Sequence, residues 1–246
     1  MFHRRTQYPP PSGNYSVKVK RGDSWRNHRN CRLQISVGHQ YHEAEKLSAT
    51  IEWATNRFTP EQGSQIFLCV NDTLQRYNSM SKDNITEKKA LEQSIELGNE
   101  WIERNSCFFS KTRNLHLSRW DFWRSHKDYK KSLDSTYKLY DRNIEFHNAI
   151  DKNAYVFWER QKNRNRSSKR TLARSLELSK LYLLEETAVF SLMFKYNPAI
   201  DIYPGTTLLP CTIFQGRSNI PGLPDGLGQG AFAQIDFAKN SKIRNK

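Results

Sequence analysis

The chain has 246 residues, 37% of them hydrophobic and 12% aromatic, with a formal net charge of +14 at pH 7. This composition excludes a wholly disordered protein, and the length suits one large α/β domain or two small ones. No apolar run reaches the ~18 residues that a membrane-spanning helix requires. The charge is typical of proteins that bind a polyanion such as nucleic acid, but a basic surface without a partner explains it equally well.

Cysteine usage and the first residues bear on the compartment of the protein. The cysteines form no Cys-x-x-Cys pair and fit no zinc-ribbon spacing; they are Cys31, Cys69, Cys107 and Cys211. We therefore predict a reduced, cytoplasmic protein, and we expect a monomer that uses neither a metal ion nor a cofactor. Residues 1–13 carry prolines where a signal peptide needs an apolar core, so a disordered tail is predicted there.

Hydrophobic patterning predicts a series of strands and helices along the chain. Alternation predicts a short edge strand at residues 15–19, and apolar runs predict buried strands at 31–37 and 65–70. Residues 71–80 are predicted to be a loop or a short helix. Helical periodicity predicts helices at residues 42–57, 84–104, 125–160 and 168–195. Further strands are predicted at residues 115–120, 199–203 and 208–214.

The order of these elements predicts an α/β fold with a parallel sheet. A single domain is expected at residues 14–220, with a basic break between helices at 160–170. Residues 221–246 are dense in Gly and Pro and lose the periodic pattern. A flexible C-terminal tail is therefore predicted for that segment.

A candidate nucleophile follows the first buried strand. The apolar run ends at Ser36, Gly38 follows, and a charged amphipathic segment begins at once. A strand, a tight turn and a helix start can hold a hydroxyl at the carboxyl end of a parallel strand, beside backbone N–H groups. A serine in that position can act as a nucleophile, and the N–H groups can stabilise an oxyanion. The alternative is that Ser36 merely caps the helix.

Three residues far downstream are candidates for the same crevice. Tyr182 and Glu186 are four residues apart in a long helical pattern, so they share one face of a helix. Tyr203 ends an apolar alternation just before Pro204. The carboxyl ends of parallel strands meet at one edge of a sheet, so all three can meet Ser36. The alternative is that Tyr182 is ordinary core and Glu186 ordinary surface.

In order and spacing these motifs resemble those of the tRNA-dependent cyclodipeptide synthases. The matching residues are Ser36 with His39, then Tyr182-x-x-x-Glu186, then Tyr203-Pro204. The segment Glu43-x-Glu45-Lys46-Leu47-x-Ala49-Thr50-x-Glu52-Trp53-Ala54 is similar to the helix after that family's serine. The Tyr-Pro pair indicates the branch defined by any residue, Tyr and Pro, rather than the Asn-Tyr-His branch. The resemblance covers roughly residues 31–215, and Gln34 departs from it, because many members have glycine there.

The resemblance implies a Rossmann-like parallel sheet flanked by helices, similar to the catalytic domain of class Ic aminoacyl-tRNA synthetases. It implies two aminoacyl-tRNAs as substrates, a 2,5-diketopiperazine as product, and ping-pong acyl transfer through an aminoacyl ester of Ser36. The implied catalytic residues are Ser36, Tyr203, Glu186 and Tyr182. The implied substrate-binding residues are His39, Tyr182, Glu186 and Tyr203. The amino acids arrive already activated, so the resemblance implies no need for ATP or metal.

Other interpretations of the sequence remain open. Basic clusters offer phosphate contacts or form only a solvated face; the candidate tRNA-binding residues are Lys130, Lys131, Arg164, Arg166, Lys169, Arg170 and Arg174. One alternative is a non-catalytic tRNA- or RNA-binding module. Another is a degenerate synthetase-like enzyme that uses ATP, because residues 38–42 resemble the histidine motif of class I synthetases. No Gly-x-x-x-x-Gly-Lys loop supports that alternative. His39 and His42 supply two metal ligands without a near third.

Overall fold

The computed structural model describes residues 14–164, 171–205, 209–217 and 219–239. Within these residues, six strands form one sheet flanked by eight α-helices. The strands are β1 (Tyr15–Gly22), β2 (Cys31–Ile35), β3 (Ile66–Val70), β4 (Leu115–Arg119), β5 (Ile200–Tyr203) and β6 (Ala231–Lys239). The helices are α1 (Ala44–Thr55), α2 (Arg76–Asp83), α3 (Glu87–Asn105), α4 (Trp120–Arg124), α5 (Tyr129–Arg142), α6 (Ile144–Arg164), α7 (Leu172–Tyr196) and α8 (Leu209–Thr212).

The strand order explains where a site can form. The strands lie in the order β1-β6-β5-β2-β3-β4, and only the β1–β6 pair is antiparallel. From β2 the chain builds outward to β3 and β4, and it then returns to β5 on the other side of β2. In an open parallel sheet, such a reversal leaves a crevice at the carboxyl ends of the two strands. The ends of β2 and β5 flank this crevice.

The central strands are buried on both sides because helices cover both faces of the sheet. Every residue of β2 is buried, as expected for a central parallel strand. One face packs against α1 and Trp101 of α3. The other face packs against α7, where Phe190 and Met193 contact a cluster that includes Cys69 of β3. No helix in the described ranges is long and apolar enough to cross a membrane.

A buried ion pair joins β2 to β5. Arg32 lies opposite Asp201 in the parallel register, and its Nη1 donates to Oδ2 of Asp201 at 2.9 Å. The same guanidinium donates to the backbone oxygens of Met193 and Asn197 at the end of α7. Gln34 Nε2 donates to Oδ1 of Asp201 at 2.5 Å. Breaking such a pair leaves an uncompensated buried charge, which costs roughly 3–5 kcal/mol. The pair therefore holds β2, β5 and α7 in one fixed arrangement.

The α/β fold with a largely parallel sheet, predicted from the sequence, is confirmed. The strands predicted at residues 15–19, 31–37, 65–70, 115–120 and 199–203 correspond to β1 through β5 within a few residues. The predicted helices are also present, with the segment 125–160 divided into α5 and α6, and α4 is a short helix that was not predicted. The helix predicted from residue 84 begins instead after Thr86, whose side chain accepts a hydrogen bond from the Lys89 backbone N–H.

Two predictions about the C-terminal part of the chain are wrong. Residues 208–214 were expected to form a strand, but Leu209–Thr212 is a short helix. Pro210 explains the difference, because proline cannot donate to a ladder but suits the first turn of a helix. The flexible tail predicted from residue 221 contains β6, which pairs with β1 and β5 and is buried at Ala233 and Ile235. The Gly- and Pro-rich composition stops at Gly230, and the strand begins directly after it. The tail predicted at residues 1–13 lies outside the described residues, as do residues 240–246.

Candidate active site

Ser36 lies at the carboxyl end of β2, as the sequence predicts, with only 6% of its surface exposed. Its backbone oxygen accepts a hydrogen bond from the His39 N–H at 3.3 Å, which closes a tight turn. Gly38 in that turn has a φ of +87°, a conformation that L side chains rarely adopt. A Cβ on Gly38 would meet nothing within 4 Å, so the backbone conformation is what requires glycine there.

The alternative that Ser36 caps a helix is wrong. A short 3₁₀ turn (Gln40–His42) follows the tight turn, and α1 begins only at Ala44 with Glu43 in the cap position. The first helix was predicted from about residue 42, and it begins two residues later because this 3₁₀ turn precedes it. Ser36 is therefore a buried serine at a strand end that is not committed to helix capping.

Ser36 belongs to a row of three hydroxyl groups, which we call the hydroxyl chain. The Ser36 Oγ lies 3.2 Å from the hydroxyl oxygen of Tyr203, at the end of the neighbouring strand β5. The Tyr203 hydroxyl lies in turn 3.0 Å from that of Tyr41 in the 3₁₀ turn. Burial, and then the nearby Tyr41, raises the pKa of Tyr203 well above its usual value. Tyr203 therefore keeps its proton at neutral pH and can donate it to an oxygen that becomes negative.

Two histidines border the hydroxyl chain. The buried His42 ring packs against Tyr203 at 5.5 Å between centroids. Burial, and then the neighbouring His39, lowers the pKa of His42 to about 3, so this ring is neutral at physiological pH. His39 lies on the exposed side of the turn and stacks on Tyr41 at 5.1 Å. In the described ranges, no group of three His, Cys, Asp or Glu residues is placed to hold a metal ion.

Tyr182 and Glu186 lie on α7 and face the same crevice. Gln75 Nε2 donates to the Tyr182 hydroxyl at 3.4 Å. Glu186 is 7% exposed, and its Oε2 has no hydrogen-bond partner among the described residues. Burial raises the pKa of Glu186 to about 8. The charge of Glu186 also contributes to the raised pKa values of Tyr182 and Tyr203, after burial in both cases and after the contacts with Tyr41 and Ser36 in the case of Tyr203, so the three groups interact electrostatically.

The neighbouring residue Glu185 is in a very different environment. Arg76 forms a two-pronged ion pair with its carboxylate, and Tyr77 and Trp120 each donate to it at 2.9 Å. Burial opposes the charge of Glu185, but the hydrogen bonds and charge of Arg76 outweigh it, so the pKa is lowered. The sequence analysis missed this cluster and also Tyr41. The only signal for Tyr41 was its place in the turn that resembles a histidine motif.

The structure brings together four of the predicted site residues but leaves the predicted basic residues apart from them. Ser36, Tyr182, Glu186 and Tyr203 meet in the crevice, and His39 lies at its exposed side. Lys130 and Lys131 are exposed on α5, where they contact Asp134 at 2.7 Å and Asp225 at 4.0 Å. Arg174 near the start of α7 contacts Glu177 at 2.9 Å. Arg164 is the last residue of α6, and three residues lie outside the described ranges, Arg166, Lys169 and Arg170.

Comparison with known proteins identifies the fold. No protein-family model and no curated protein matches the chain. Among solved structures, a CDPS from Fluoribacter dumoffii is 23% identical with a TM-score of 0.76, over 92% of this chain and 99% of that one. A cyclodipeptide synthase from Candidatus Glomeribacter gigasporarum, solved bound to Phe-tRNAPhe, is 20% identical with a TM-score of 0.61, over 88% and 90%. A Mycobacterium tuberculosis protein, whose structure is described as relating cyclodipeptide synthetases to type I tRNA synthetases, is 11% identical with a TM-score of 0.65, over 96% and 99%. The chain therefore has the fold that these proteins share.

The burial of Glu186 leads to a pH-dependent prediction. The folded protein keeps a proton on Glu186 up to a pH of about 8, whereas the unfolded chain releases it near the ordinary value of 4.5. Stability from this carboxyl is therefore lost as the pH rises from about 4.5 through about 8. The Glu186→Gln side chain cannot ionise, so the variant does not lose this stability. The unfolding free energy of the variant minus that of wild type should therefore be a few kcal/mol larger at pH 8.5 than at pH 5. Denaturant unfolding at the two pH values measures it.

Glu185→Gln is the matched control for that measurement. It removes a carboxylate that Arg76 stabilises, so it should lower the free energy of unfolding at both pH values. An unfolding free energy of Glu186→Gln that follows the wild-type pH dependence would contradict the predicted protonation of Glu186.

Proposed function

We propose that this protein is a tRNA-dependent cyclodipeptide synthase of the Tyr-Pro branch. The observation that carries the proposal is the contact between the Ser36 and Tyr203 hydroxyl groups at the crevice between β2 and β5. A nucleophile, a proton donor and a buried carboxyl meet there, on the fold of known cyclodipeptide synthases. The proposed substrates are two aminoacyl-tRNAs and the proposed product is a 2,5-diketopiperazine.

The first half-reaction acylates Ser36. The Ser36 Oγ attacks the carbonyl carbon of the aminoacyl ester, the bond from that carbon to the ribose oxygen breaks, and the Oγ proton passes to the departing ribose oxygen. An ester replaces an ester, so the step requires no ATP.

The second half-reaction needs a free amine on the bound aminoacyl group. For the dipeptide to remain on Ser36, this amine attacks the ester of the second aminoacyl-tRNA and releases the second tRNA. The α-amino group of a peptide has a pKa of about 8, and burial raises the pKa of Glu186 to about 8. Proton transfer between two groups of matched pKa is easy in either direction. The positive charge of the ammonium favours the ionised form of Glu186, so this carboxyl releases its own proton to solvent as the ammonium binds beside it and Tyr182. The carboxylate then takes one proton from the ammonium, the freed amine forms the C–N bond, and the second proton that the amine loses goes to the departing ribose oxygen. Glu186 passes its proton to solvent before the cyclisation.

Cyclisation then releases the product from Ser36. The second amine attacks the seryl ester, a C–N bond forms, and the bond from the acyl carbon to the Ser36 Oγ breaks. Tyr203 supplies a proton to the departing Oγ, and Glu186 accepts the proton of the amine. The two groups return to their starting states by exchange with solvent. A neutral Tyr203, with its raised pKa, suits the role of proton donor.

The tRNA itself is proposed to contact the basic surface near α5 and α7. Lys130, Lys131 and Arg174 are exposed, and among the described residues the ion-pair partner of each is a surface carboxylate. Surface ion pairs of this kind are worth about 0–1 kcal/mol, so a phosphate readily replaces the carboxylate. α5 is fixed to the helix that carries Glu186, because the Ser132 hydroxyl donates to the Ala188 backbone oxygen at 2.8 Å. Arg164, Arg166, Lys169 and Arg170 are proposed to extend this surface, and cytoplasmic location stays a prediction.

Ser36→Ala should abolish acyl-enzyme formation without loss of the fold. Wild-type protein incubated with a pool of radiolabelled aminoacyl-tRNAs and quenched with acid should retain label. The alanine variant should retain none, because it lacks the attacking oxygen. Ser94→Ala is the control, because Ser94 is a buried serine on α3, a helix that contributes no residue to the hydroxyl chain.

Equal labelling of the Ser36→Ala variant would refute Ser36 as the nucleophile. tRNA binding without any label would favour the non-catalytic RNA-binding module. Label that requires ATP and free amino acid would favour the synthetase-like enzyme.

The binding of tRNA should weaken steeply as salt increases, because phosphate contacts release condensed counterions. Lys130→Glu with Lys131→Glu should weaken binding and lower the slope of log affinity against log salt by roughly 1–2. Lys18→Glu with Lys20→Glu, on the exposed edge of β1, makes the same change in net charge and serves as the control. Titrations at several salt concentrations measure the affinity for tRNA and its salt dependence in each double variant. Equal losses in the two double variants would mean that only the net charge matters and that α5 is not the contact surface.

A further inference from the structure

Tyr41 is the member of the hydroxyl chain to which no role has yet been given. Its hydroxyl contacts Tyr203 at 3.0 Å, and its ring packs edge-on against the Tyr203 ring at 5.9 Å. On its other side, the ring stacks on His39. Tyr41 does not contact Ser36 in the hydrogen-bond network, so any effect on Ser36 passes through Tyr203.

The segment that carries Tyr41 is held firmly in place. The His42 backbone oxygen accepts a hydrogen bond from Trp101 Nε1 of α3 at 2.9 Å, and the His42 N–H donates to the His39 oxygen at 2.9 Å. Ala44, the first residue of α1 and two residues after the turn, has a φ of +49°, which is a strained conformation for a residue with a side chain. Such strain persists where the surrounding structure over-determines the backbone, often beside a functional site. The Tyr41 ring therefore has a defined position against Tyr203.

The number of hydroxyl hydrogens limits the possible hydrogen-bond directions within the hydroxyl chain. A phenol has one O–H hydrogen, and Tyr203 meets two oxygens, those of Ser36 and Tyr41. If Tyr203 donated to Tyr41, it would have no hydrogen for Ser36. If Tyr41 donates to Tyr203, the single hydrogen of Tyr203 is directed at Ser36. The Tyr41 ring stacks on the exposed His39, where water can satisfy the Tyr41 oxygen, whereas the Tyr203 oxygen lies between those of Ser36 and Tyr41.

We infer that Tyr41 is a positioning residue, which donates its hydroxyl hydrogen to Tyr203 and so keeps the Tyr203 hydrogen directed at the Ser36 oxygen. The inference rests on the proposed function, because the departing Ser36 oxygen is the atom that receives this hydrogen. Tyr41 takes part in no bond making or breaking. Its effect is confined to the step in which Tyr203 acts as proton donor, which is the release of Ser36.

Single-turnover kinetics of four variants test this role. The variants are Tyr41→Phe, Tyr203→Phe, the double variant, and Tyr155→Phe, an exposed tyrosine on α6 that serves as the control. Tyr41→Phe keeps the ring contacts and removes one neutral hydrogen bond, so product release should slow about tenfold. Acyl-enzyme formation and the KM for aminoacyl-tRNA should change less than about twofold, because neither uses the directed hydrogen.

The double variant separates positioning from general structural support. If Tyr41 acts through Tyr203, then Tyr41→Phe has no further effect once Tyr203 is already Phe. Multiplied effects on release, or equal losses in acylation and release, would overturn the inference. Unchanged release in Tyr41→Phe would overturn it as well.

A measurement without turnover keeps this inference distinct from the proposed function. Tyrosine labelled with ¹³C at Cζ reports hydrogen bonding at each phenol by NMR, and the Tyr203 signal is the one that Tyr203→Phe removes. This signal should shift in Tyr41→Phe and stay unchanged in Tyr155→Phe. An unmoved signal overturns the positioning role alone, whereas a wild-type protein that never acquires label from aminoacyl-tRNA overturns the proposed function alone.

Discussion

The pairing of β2 with β5 is the constraint on which the crevice depends. These strands are distant in sequence. They become neighbours because the chain adds β3 and β4 on one side of β2 and then places β5 on the other side. The Arg32–Asp201 pair fixes their register from within the core and reaches α7 through backbone oxygens at its end. Ser36 and Tyr203 follow in consequence, since each stands at the carboxyl end of one paired strand. A single buried interaction thereby sets the geometry of three elements that supply the site.

Adjacent glutamates on α7 show how the same side chain serves two purposes. Glu185 is surrounded by donors from Arg76, Tyr77 and Trp120, and it stays ionised as part of the core. Glu186 is buried with an unpartnered oxygen and favours its protonated form. An unsatisfied buried acceptor costs roughly 1–3 kcal/mol, and a bound ammonium removes that cost. The arrangement is therefore suited to a ligand with N–H donors, as the aminoacyl group has.

Local patterns predicted where the candidate site residues lie, at strand ends and on α7, whereas their roles came from the resemblance in motif order and stay predictions. Ser36 and Tyr203 each end an apolar run, and Tyr182 and Glu186 share a helical face. Tyr41 was not predicted, because its role depends on a contact with Tyr203 across more than 160 positions of the chain. The raised pKa of Glu186 could not be predicted from the sequence either, because it is caused by burial, and burial depends on the packing of α7 against the sheet.

The errors in the predicted fold have a different cause, because the sequence carried local signals that were overlooked. β6 was assigned to a flexible tail because the Gly- and Pro-rich segment before it was extended to the end of the chain, although Ala233, Ile235 and Phe237 alternate with Gln234 and Asp236 as in a strand with one buried face. The strand predicted at residues 208–214 overlooked Pro210, whose effect is local and was available from sequence. The basic segment 165–170 lies outside the described residues, so its predicted contact with tRNA stays a prediction.

The most direct test of this account is mass spectrometry of the products that the purified full chain makes from a pool of aminoacyl-tRNAs without ATP. The account predicts cyclic dipeptides, with one product molecule for every two tRNAs discharged, and none from the Ser36→Ala protein. Discharge that yields only free amino acids, or no discharge at all, would contradict it.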